Sequence, residues 1–409
     1  MSLFTISKIP LYFNKLSLSI NLRGMTLVPF CMVFVTVVNM CLGLASIEMQ
    51  LLSYAVLGGV ILSFVFMFAI LCHTREMSRY GFLYFLFMVI LIGLSLVSQT
   101  DFKNAIYISL TVWLNLMLFR YYRHRIKMLL CCYAIALTFC VYLNFVHLIT
   151  HPMLWLIEDD KTNTGYLLGG NYNQMGCRML IAMMVNCLCT RFSRLWLFNF
   201  VLLCIISIAS LAMVGSMTSL SMLVVFVMFC LVPSSRLRKT SIYGLFTIFL
   251  LFQVFVVFNG RGLENNELAV YLIEDVLKKD MTFTYRTYMW DSALNMIEQS
   301  PLWGWGLPSP EWFNSHMSSF AIGPHNYILS ILINGGIILL GLYIAICVMT
   351  WKAIRPFMEN HLCQITVFAV VTLWTMALME MYPHTIVFFA LLLLYYYQYL
   401  PIPQTEKSE

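Results

Sequence analysis

Residues 326–351 read NYILSILINGGIILLGLYIAICVMTW, an apolar run without one charged residue. A helix needs roughly 20 mostly apolar residues to cross the hydrocarbon core of a bilayer, so this run is long enough to span a membrane. The whole chain has the same character, since 61% of its 409 residues are hydrophobic, 10% are charged and its mean hydropathy is +0.84. A soluble domain carries about 25% charged residues, so the composition excludes a water-soluble enzyme, a DNA-binding protein and a disordered scaffold.

Further apolar runs predict an all-α, polytopic membrane protein with about twelve transmembrane helices, arranged as a single membrane domain over 1–409. Before the first run lie Lys8, Lys15 and Arg23, and no small-residue cleavage site follows it, which favours a retained first helix over a cleaved signal peptide. The predicted spans are 25–45, 51–72, 80–98, 105–120, 128–150, 172–190, 195–214, 217–233, 241–258, 326–351, 362–380 and 384–400.

The basic residues orient these spans. Of the 24 basic residues, 17 fall at the two termini and in the loops after the even-numbered spans, together with only four of the 18 acids. The positive-inside rule therefore predicts a multi-pass protein of the cytoplasmic membrane with both termini in the cytoplasm. The net charge of +6 follows from this topology and does not indicate nucleic-acid binding, and the basic run 120–127 is expected to be a solvated cytoplasmic loop.

The cysteines do not form a recognisable metal or disulfide pattern. All thirteen fall in the predicted spans or at their edges, without a CxxC spacing, and the predicted outer loops contain none. Small apolar packing residues explain them best. The sequence also lacks an HExxH motif, so we expect no metal site.

Two predicted outer segments are too long to be simple connections, a smaller one over 151–171 and a large one over 259–324 between spans nine and ten. In the large loop, apolar side chains repeat at helical spacing over 268–277 and again over 289–297. Both stripes predict amphipathic helices that lie in the membrane interface with one face in lipid. The segment 301–310, PLWGWGLPSP, predicts a turn whose final Ser-Pro pair caps a short helix.

Three even-numbered spans begin at the predicted outer face with polar residues. Span six opens with NYNQMGCR at 171–178, span eight with GSMTS at 215–219, and span ten with PHNY at 324–327. The N-terminus of a helix carries unpaired N–H groups and a partial positive charge, which favour phosphate. If the three helix starts converge beneath the large loop, they form an anion-binding site.

Three side chains, two at these helix starts and one in the large loop, are candidates for chemistry. Arg178 is expected about two turns inside span six, where an arginine costs roughly 2.5–3.5 kcal/mol, and this favours a functional partner over snorkelling to headgroups. Arg286 lies one turn before Trp290 beside an apolar stripe; taken alone, it is more simply a surface residue. His325 opens span ten, where the helix dipole disfavours a protonated ring and leaves it able to accept a proton, with His316 as the alternative base.

Taken in order, four motifs resemble the signature of the O-antigen ligase and polymerase family. They are RTYMW at 286–290, PLWGWG at 301–306, HNYIL at 325–329 and NGGI at 334–337. The twelve predicted spans, the cytoplasmic termini and the large loop between spans nine and ten are also similar to that family, as is the Asn-rich start of span six.

The resemblance implies a metal-independent membrane glycosyltransferase without a cofactor, acting at the periplasmic face of the bacterial inner membrane. It polymerises oligosaccharide repeat units carried on undecaprenyl diphosphate into surface polysaccharide such as O-antigen or capsule. The alternative is a ligase that transfers the chain to a lipid A core sugar in lipopolysaccharide biosynthesis. Its implied partners are the lipid-linked donor, a lipid-linked or lipid A core acceptor, membrane lipids and a chain-length regulator, with no nucleic acid.

Two other classes remain as alternatives. A lipid-oligosaccharide flippase predicts charges that line a path through the middle of the spans or two related halves, whereas the charges here cluster at the predicted outer face and no repeat is visible. A metal-dependent glycosyltransferase that uses polyprenyl-phosphate sugars predicts an essential acid in an early outer loop, such as Glu48 or Asp101.

The resemblance also implies roles for individual residues. Arg178 and Arg286 bind the diphosphate, and His325 takes the proton from the acceptor hydroxyl in a direct displacement that inverts the anomeric carbon. Many members begin span eight with a Ser-Arg pair; here the pair is Ser216-Met217, so Ser216 remains a diphosphate ligand and Arg178 is expected to replace the missing arginine. The supporting residues are Asn171, Asn173, Asn326, Trp290, Gly304 and Gly306.

Overall fold

The computed structural model describes residues 27–44, 49–74, 78–156, 165–259, 286–317 and 323–401. These residues form helices and turns, and their only β pairing is two isolated bridges, Leu42–Leu168 and Tyr166–Gly170. The all-α class predicted from the sequence is therefore confirmed.

Each of the twelve predicted apolar runs contains one helix, and among the described residues two shorter helices lie between the ninth and tenth runs; the four-residue helix Met153–Leu156, after the fifth run, is left unnumbered. The helices are α1 (Leu27–Cys41), α2 (Gln50–Thr74), α3 (Arg79–Val97), α4 (Phe102–Tyr121), α5 (Ile126–Thr150), α6 (Met175–Cys189), α7 (Arg194–Val214), α8 (Met217–Cys230), α9 (Ser235–Phe255), α10 (Arg286–Gln299), α11 (Pro310–His316), α12 (Tyr327–Ile354), α13 (His361–Met376) and α14 (His384–Tyr396).

Among the described residues, seven helices are long and apolar enough to cross a membrane, namely α2, α3, α4, α5, α7, α9 and α12 with their flanking turns. The apolar helices α1, α8 and α13 are shorter. A membrane protein with several spans is thus established, whereas the number of twelve and the outer placement of the large loop stay predictions.

The centre of the bundle is α6, whose residues are all buried. It packs against α5, α7 and α13, so its whole circumference is covered by other helices. A helix enclosed by neighbours has no solvated or lipid-facing stripe, and the polar side chains of α6, Arg178 and Asn186, form hydrogen bonds inside the bundle. By contrast, α2 and α9 are mostly exposed and lie at the periphery.

Helix α12 is broken at a pair of glycines. Gly335 and Gly336 have non-helical dihedral angles, with φ of 57° at Gly336. A break of this kind frees backbone carbonyls that need new partners. Residues 301–307, which we call the strap, supply them: Trp305 N–H donates to Ile333 O at 2.7 Å, and Gly306 N–H donates to Asn334 O at 3.0 Å.

The strap also binds the C-terminal end of α3. Leu307 N–H donates to Ser95 Oγ at 2.9 Å, and Asp101 N–H at the start of α4 donates to Leu307 O at 2.8 Å. A Cβ on Gly306 would lie 2.4 Å from Ser95 Cα, so only glycine allows this approach. The motif glycines therefore serve contact between the strap and two helices.

The large loop contains two described helices. The stripe over 289–297 forms α10, and Ser309 caps α11 as predicted by accepting from Trp312 N–H at 3.3 Å. The prediction that α10 turns its apolar face to lipid is wrong: Trp290 and Ala293 are fully buried in a cluster with Leu329 and Ile333 of α12. The first stripe, 268–277, lies outside the described residues.

Candidate functional site

The starts of two helices meet on the turn between α13 and α14, residues 377–383, which we call the central turn. Tyr327 N–H, at the start of α12, donates to Ala377 O at 3.0 Å. Gln174, just before α6, donates from Nε2 to Met381 O at 2.7 Å. The polar openings of spans six and ten therefore share one support.

The start of α8 joins them through close packing. A Cβ on Gly176 in the first turn of α6 would lie 2.3 Å from Ser219 in the first turn of α8 and 3.0 Å from Met376 Cε at the end of α13. Three helix N-termini thus lie around the central turn. Because each helix N-terminus carries a partial positive charge, this region favours an anion.

Arg286 and His325 both contact the carboxylate of Glu380. Arg286 Nη2 donates to Glu380 Oε1 at 2.6 Å, and His325 Nδ1 lies 3.3 Å from Glu380 Oε2. The Glu380 side chain is 7% exposed, compared with 22% for Arg286 and 18% for His325. The two residues chosen from the sequence are thus brought together, and the acid between them was missed.

A signal for Glu380 does exist in the sequence. It is the only acidic residue between Asn360 and Leu400, a segment made mostly of apolar side chains. Isolated charged residues in membrane segments are rare and usually functional. Glu380 belongs to none of the four motifs, so the motifs do not predict it.

His325 has an unusual backbone. Its φ of 44° is in the left-handed region, which a residue with a side chain rarely adopts. The following Asn326 begins α12: its Oδ1 accepts from Leu329 N–H at 2.9 Å, so its Nδ2 is the donor to Gln253 Oε1 at 2.9 Å and to Leu378 O at 3.2 Å. These fully buried contacts hold the residue beside His325 in place.

The ring of His325 is suited to accept a proton. An Nδ1–H that faces a carboxylate leaves Nε2 of the same ring as the acceptor. The alternative base, His316, is exposed on α11 and stacks on Trp312, with ring centroids 4.0 Å apart. Geometry therefore favours His325 over His316.

Arg178 is a buried cation with carbonyl partners. It is 6% exposed and donates to Gln174 O at 2.7 Å and to Met40 O at 3.3 Å. Among the described residues no acid forms an ion pair with it. It lies in the first turn of α6 and not two turns deep, because the preceding residues 172–174 form a separate 3-10 turn.

Arg178 is also close to the central turn. Its Nη1 lies 3.3 Å from Gln174 Oε1, and the same amide donates to Met381 O beside Glu380. A Cβ on Gly169 would come within 2.7 Å of Arg178 Nη1, so glycine there leaves room for the guanidinium. Arg178 and the Arg286–Glu380–His325 group thus border one region.

The remaining predicted residues have structural contacts. Asn171 Oδ1 accepts from Asn173 N–H at 2.8 Å and starts the 3-10 turn that leads into α6. Ser216 is buried directly before α8, and its side chain forms no cap hydrogen bond. Trp290 packs on Phe252, with ring centroids 6.3 Å apart. Gly304, like Gly306, belongs to the strap, and a Cβ there would lie 2.4 Å from Ile333 O.

Two buried side chains around the site have donor atoms that form no hydrogen bond with the described residues. Within the described part of the chain, Arg286 Nε and Gln253 Nε2 have no hydrogen-bond partner. Burial raises the pKa of Tyr382, on the central turn, well above its usual value, so its phenol stays protonated. The site therefore presents an excess of donors, which suits a ligand rich in acceptor oxygens.

The described residues contain no group of three or more His, Cys, Asp or Glu side chains that could hold a metal ion. Of the two acids considered for a metal-dependent enzyme, Asp101 accepts from Asn104 N–H and caps α4. Glu48 lies outside the described residues.

The fold and site define a membrane protein of several spans whose charged and polar groups cluster around one turn. The family model described as O-antigen ligase matches residues 198–344, which include Ser216, Arg286, the strap and His325. This match supports the resemblance of the motifs to the O-antigen ligase and polymerase family. Searches of curated proteins and of solved structures find no match.

Proposed function

We propose that this protein is a glycosyltransferase of the bacterial cytoplasmic membrane that polymerises undecaprenyl-diphosphate-linked repeat units into surface polysaccharide. The observation that carries the proposal is the joining of Arg286 and His325 through Glu380 beside three helix N-termini. A cation, a base and an anion-binding region at one place are what transfer from a diphosphate donor requires.

The diphosphate of the donor is bound by arginine. Arg178 supplies a buried positive charge that no described acid neutralises, and Arg286 adds an unpaired Nε. Arginine matches phosphate oxygens with two parallel hydrogen bonds. As the glycosyl bond breaks, negative charge grows on the leaving diphosphate, and these cations with the N-termini of α6, α8 and α12 stabilise it.

His325 activates the acceptor. Its Nε2 takes the proton of the acceptor hydroxyl while that oxygen attacks the anomeric carbon of the donor sugar, and the bond from this carbon to the diphosphate oxygen breaks. Undecaprenyl diphosphate leaves, and His325 later releases its proton to water. Attack opposite the leaving group inverts the configuration, so a product that retains it would contradict this mechanism.

A polymerase is favoured over a ligase because the Ser-Arg pair of span eight is replaced by Ser216-Met217. Deletion of the gene followed by glycan analysis separates the two activities. If the protein is a polymerase, its deletion leaves single repeats on undecaprenyl diphosphate or on the core sugar. Full-length chains that remain on undecaprenyl diphosphate would establish the ligase instead.

The site is tested by complementing the deletion with His325→Ala, Arg286→Ala and Arg178→Ala. Removing a general base costs about 10²- to 10⁴-fold in rate, so His325→Ala is expected to leave only unpolymerised repeats. His316→Ala and Arg194→Ala are the matched controls, since both residues are exposed, and they should give normal profiles. Normal profiles for His325→Ala and Arg286→Ala would show that the site is assigned wrongly.

A further inference from the structure

Glu380 divides its two carboxylate oxygens between residues with different proposed roles. Oε1 accepts from Arg286 at 2.6 Å, and Oε2 lies 3.3 Å from His325 Nδ1. The contact with Arg286, the residue proposed to bind the diphosphate, is thus the shorter one. The carboxylate is 7% exposed, so it is largely held by these two partners and not by water.

Glu380 occupies only one of the two donor nitrogens on one edge of the Arg286 guanidinium. Nε and Nη2 lie on one edge of the guanidinium plane, at the spacing of two oxygens of a single carboxylate or phosphate. Glu380 occupies Nη2 with one oxygen, while its other oxygen points to His325 and Nε stays buried without a partner among the described residues. A phosphate group that replaced Glu380 on this edge would satisfy both nitrogens.

We propose that Glu380 is a positioning residue. It couples binding of the diphosphate donor to stabilisation of the protonated form of the base, His325. In the empty site it pairs with Arg286. When the donor diphosphate takes the Nε–Nη2 edge of Arg286, the carboxylate is released to His325 alone. The inference rests on the proposed function, because it gives Arg286 and His325 the roles of diphosphate ligand and base.

The physical reason is competition for one cation. The carboxylate and the diphosphate are both anions that bind the same edge of Arg286, so each weakens binding of the other, and this coupling is reciprocal. Once released, the carboxylate stabilises the imidazolium that forms when His325 accepts a proton, as an acid beside a catalytic histidine does. His325 therefore has the carboxylate of Glu380 to itself only when a donor is bound.

Glu380→Gln tests the coupling because it removes the charge and keeps the shape. We expect the full-length protein in detergent to bind inorganic pyrophosphate at least about fivefold more tightly, by calorimetric titration, because Arg286 loses its competitor. Glycan transfer should fall about tenfold or more, because His325 loses its support. General structural damage would lower both quantities.

Two controls isolate the effect. Glu311→Gln removes an exposed acid of the large loop and should change neither quantity. In an Arg286→Ala background, Glu380→Gln should no longer tighten pyrophosphate binding, since the gain acts through this arginine. Glu380→Met, which also removes the charge, is the second variant if Glu380→Gln does not elute as a single species in gel filtration.

The outcomes separate this inference from the proposed function. Normal glycan profiles for Arg286→Ala and His325→Ala overturn the function and the coupling together. If those two variants lose transfer, the coupling alone is overturned when Glu380→Gln leaves pyrophosphate binding unchanged or weaker, when it keeps normal transfer, or when its gain in affinity persists without Arg286.

Discussion

Glu380 contacts two residues that are far away in the chain, His325 at a separation of 55 residues and Arg286 at a separation of 94. Arg286 and His325 could be chosen from the sequence because each lies in a short motif with fixed spacing. The acid could not, since its role depends on α13 and α14 placing the central turn against α10 and α12. A lone acid in an apolar segment indicates only that a site exists.

A different residue-scale constraint acts at Gly336. Its φ is 57°, and a Cβ there would lie 2.3 Å from Leu302 C and 2.4 Å from Leu302 O in the strap. Gly336→Ala should therefore lower the melting temperature of the purified protein, because a strained backbone alone costs about 1–3 kcal/mol.

Gly341→Ala, in the same helix, is the matched control, since its Cβ would meet nothing within 4 Å. This variant should keep or raise the melting temperature, because alanine is favoured over glycine in a helix by roughly 1 kcal/mol. Equal melting temperatures for the two variants would contradict the proposed role of Gly336.

At the scale of elements, the strap connects the C-terminal end of α3 to the break in α12. The first half of α12 begins directly after His325, and its broken end is held by the strap. The sequence predicted a turn at 301–310 but not its partners, because the glycine spacing shows where the chain can bend and not what it approaches.

Ser95→Ala tests this connection. Ser95 Oγ accepts from Leu307 N–H at 2.9 Å, and its loss leaves that N–H without its acceptor, which costs about 1–3 kcal/mol. We expect a lower melting temperature and weaker glycan transfer. Ser221→Ala is the control, since Ser221 is exposed and donates only to Met217 O of its own helix. If both variants unfold at the same temperature as the wild type, the strap does not stabilise this region.

Helix α10 shows what an amphipathic pattern leaves open. The spacing of Met289, Trp290, Ala293 and Leu294 predicts a helix with one apolar face, and the structure contains it. Lipid and protein are equally apolar, so the stripe cannot tell which of them covers it. Here the cover is protein, formed by residues of α9, α11 and α12.

At the scale of the whole molecule, the distribution of basic residues predicts the orientation in the membrane. Residues 232–240 are expected in the cytoplasm, and residues 301–317 at the periplasmic face. Alkaline phosphatase becomes active only where its disulfides form. A fusion after residue 309 should therefore be active and a fusion after residue 234 inactive, both measured by colorimetric assay in intact cells at matched expression. The reverse pattern would invert the topology and place the site on the cytoplasmic side.

Much of the architecture follows from local sequence. All twelve apolar runs contain a helix, because length and hydropathy are properties of short stretches. The boundaries are less accurate. Span six was predicted from 172, whereas α6 starts at Met175 after a separate turn, which moves Arg178 from the second turn to the first.

By itself, the sequence determined that the chain is solvated by lipid, where its helices form, which family its motifs resemble, and that Arg286 and His325 are the side chains to examine. These properties are encoded by composition, by periodicity and by motifs of a few neighbouring residues. Only the tertiary structure decided that Glu380 joins Arg286 to His325, that Arg178 is buried without an acidic partner in the described chain, and that α10 packs on protein. Such contacts join residues far apart in the chain, and they are set by the packing of helices, which no local pattern records.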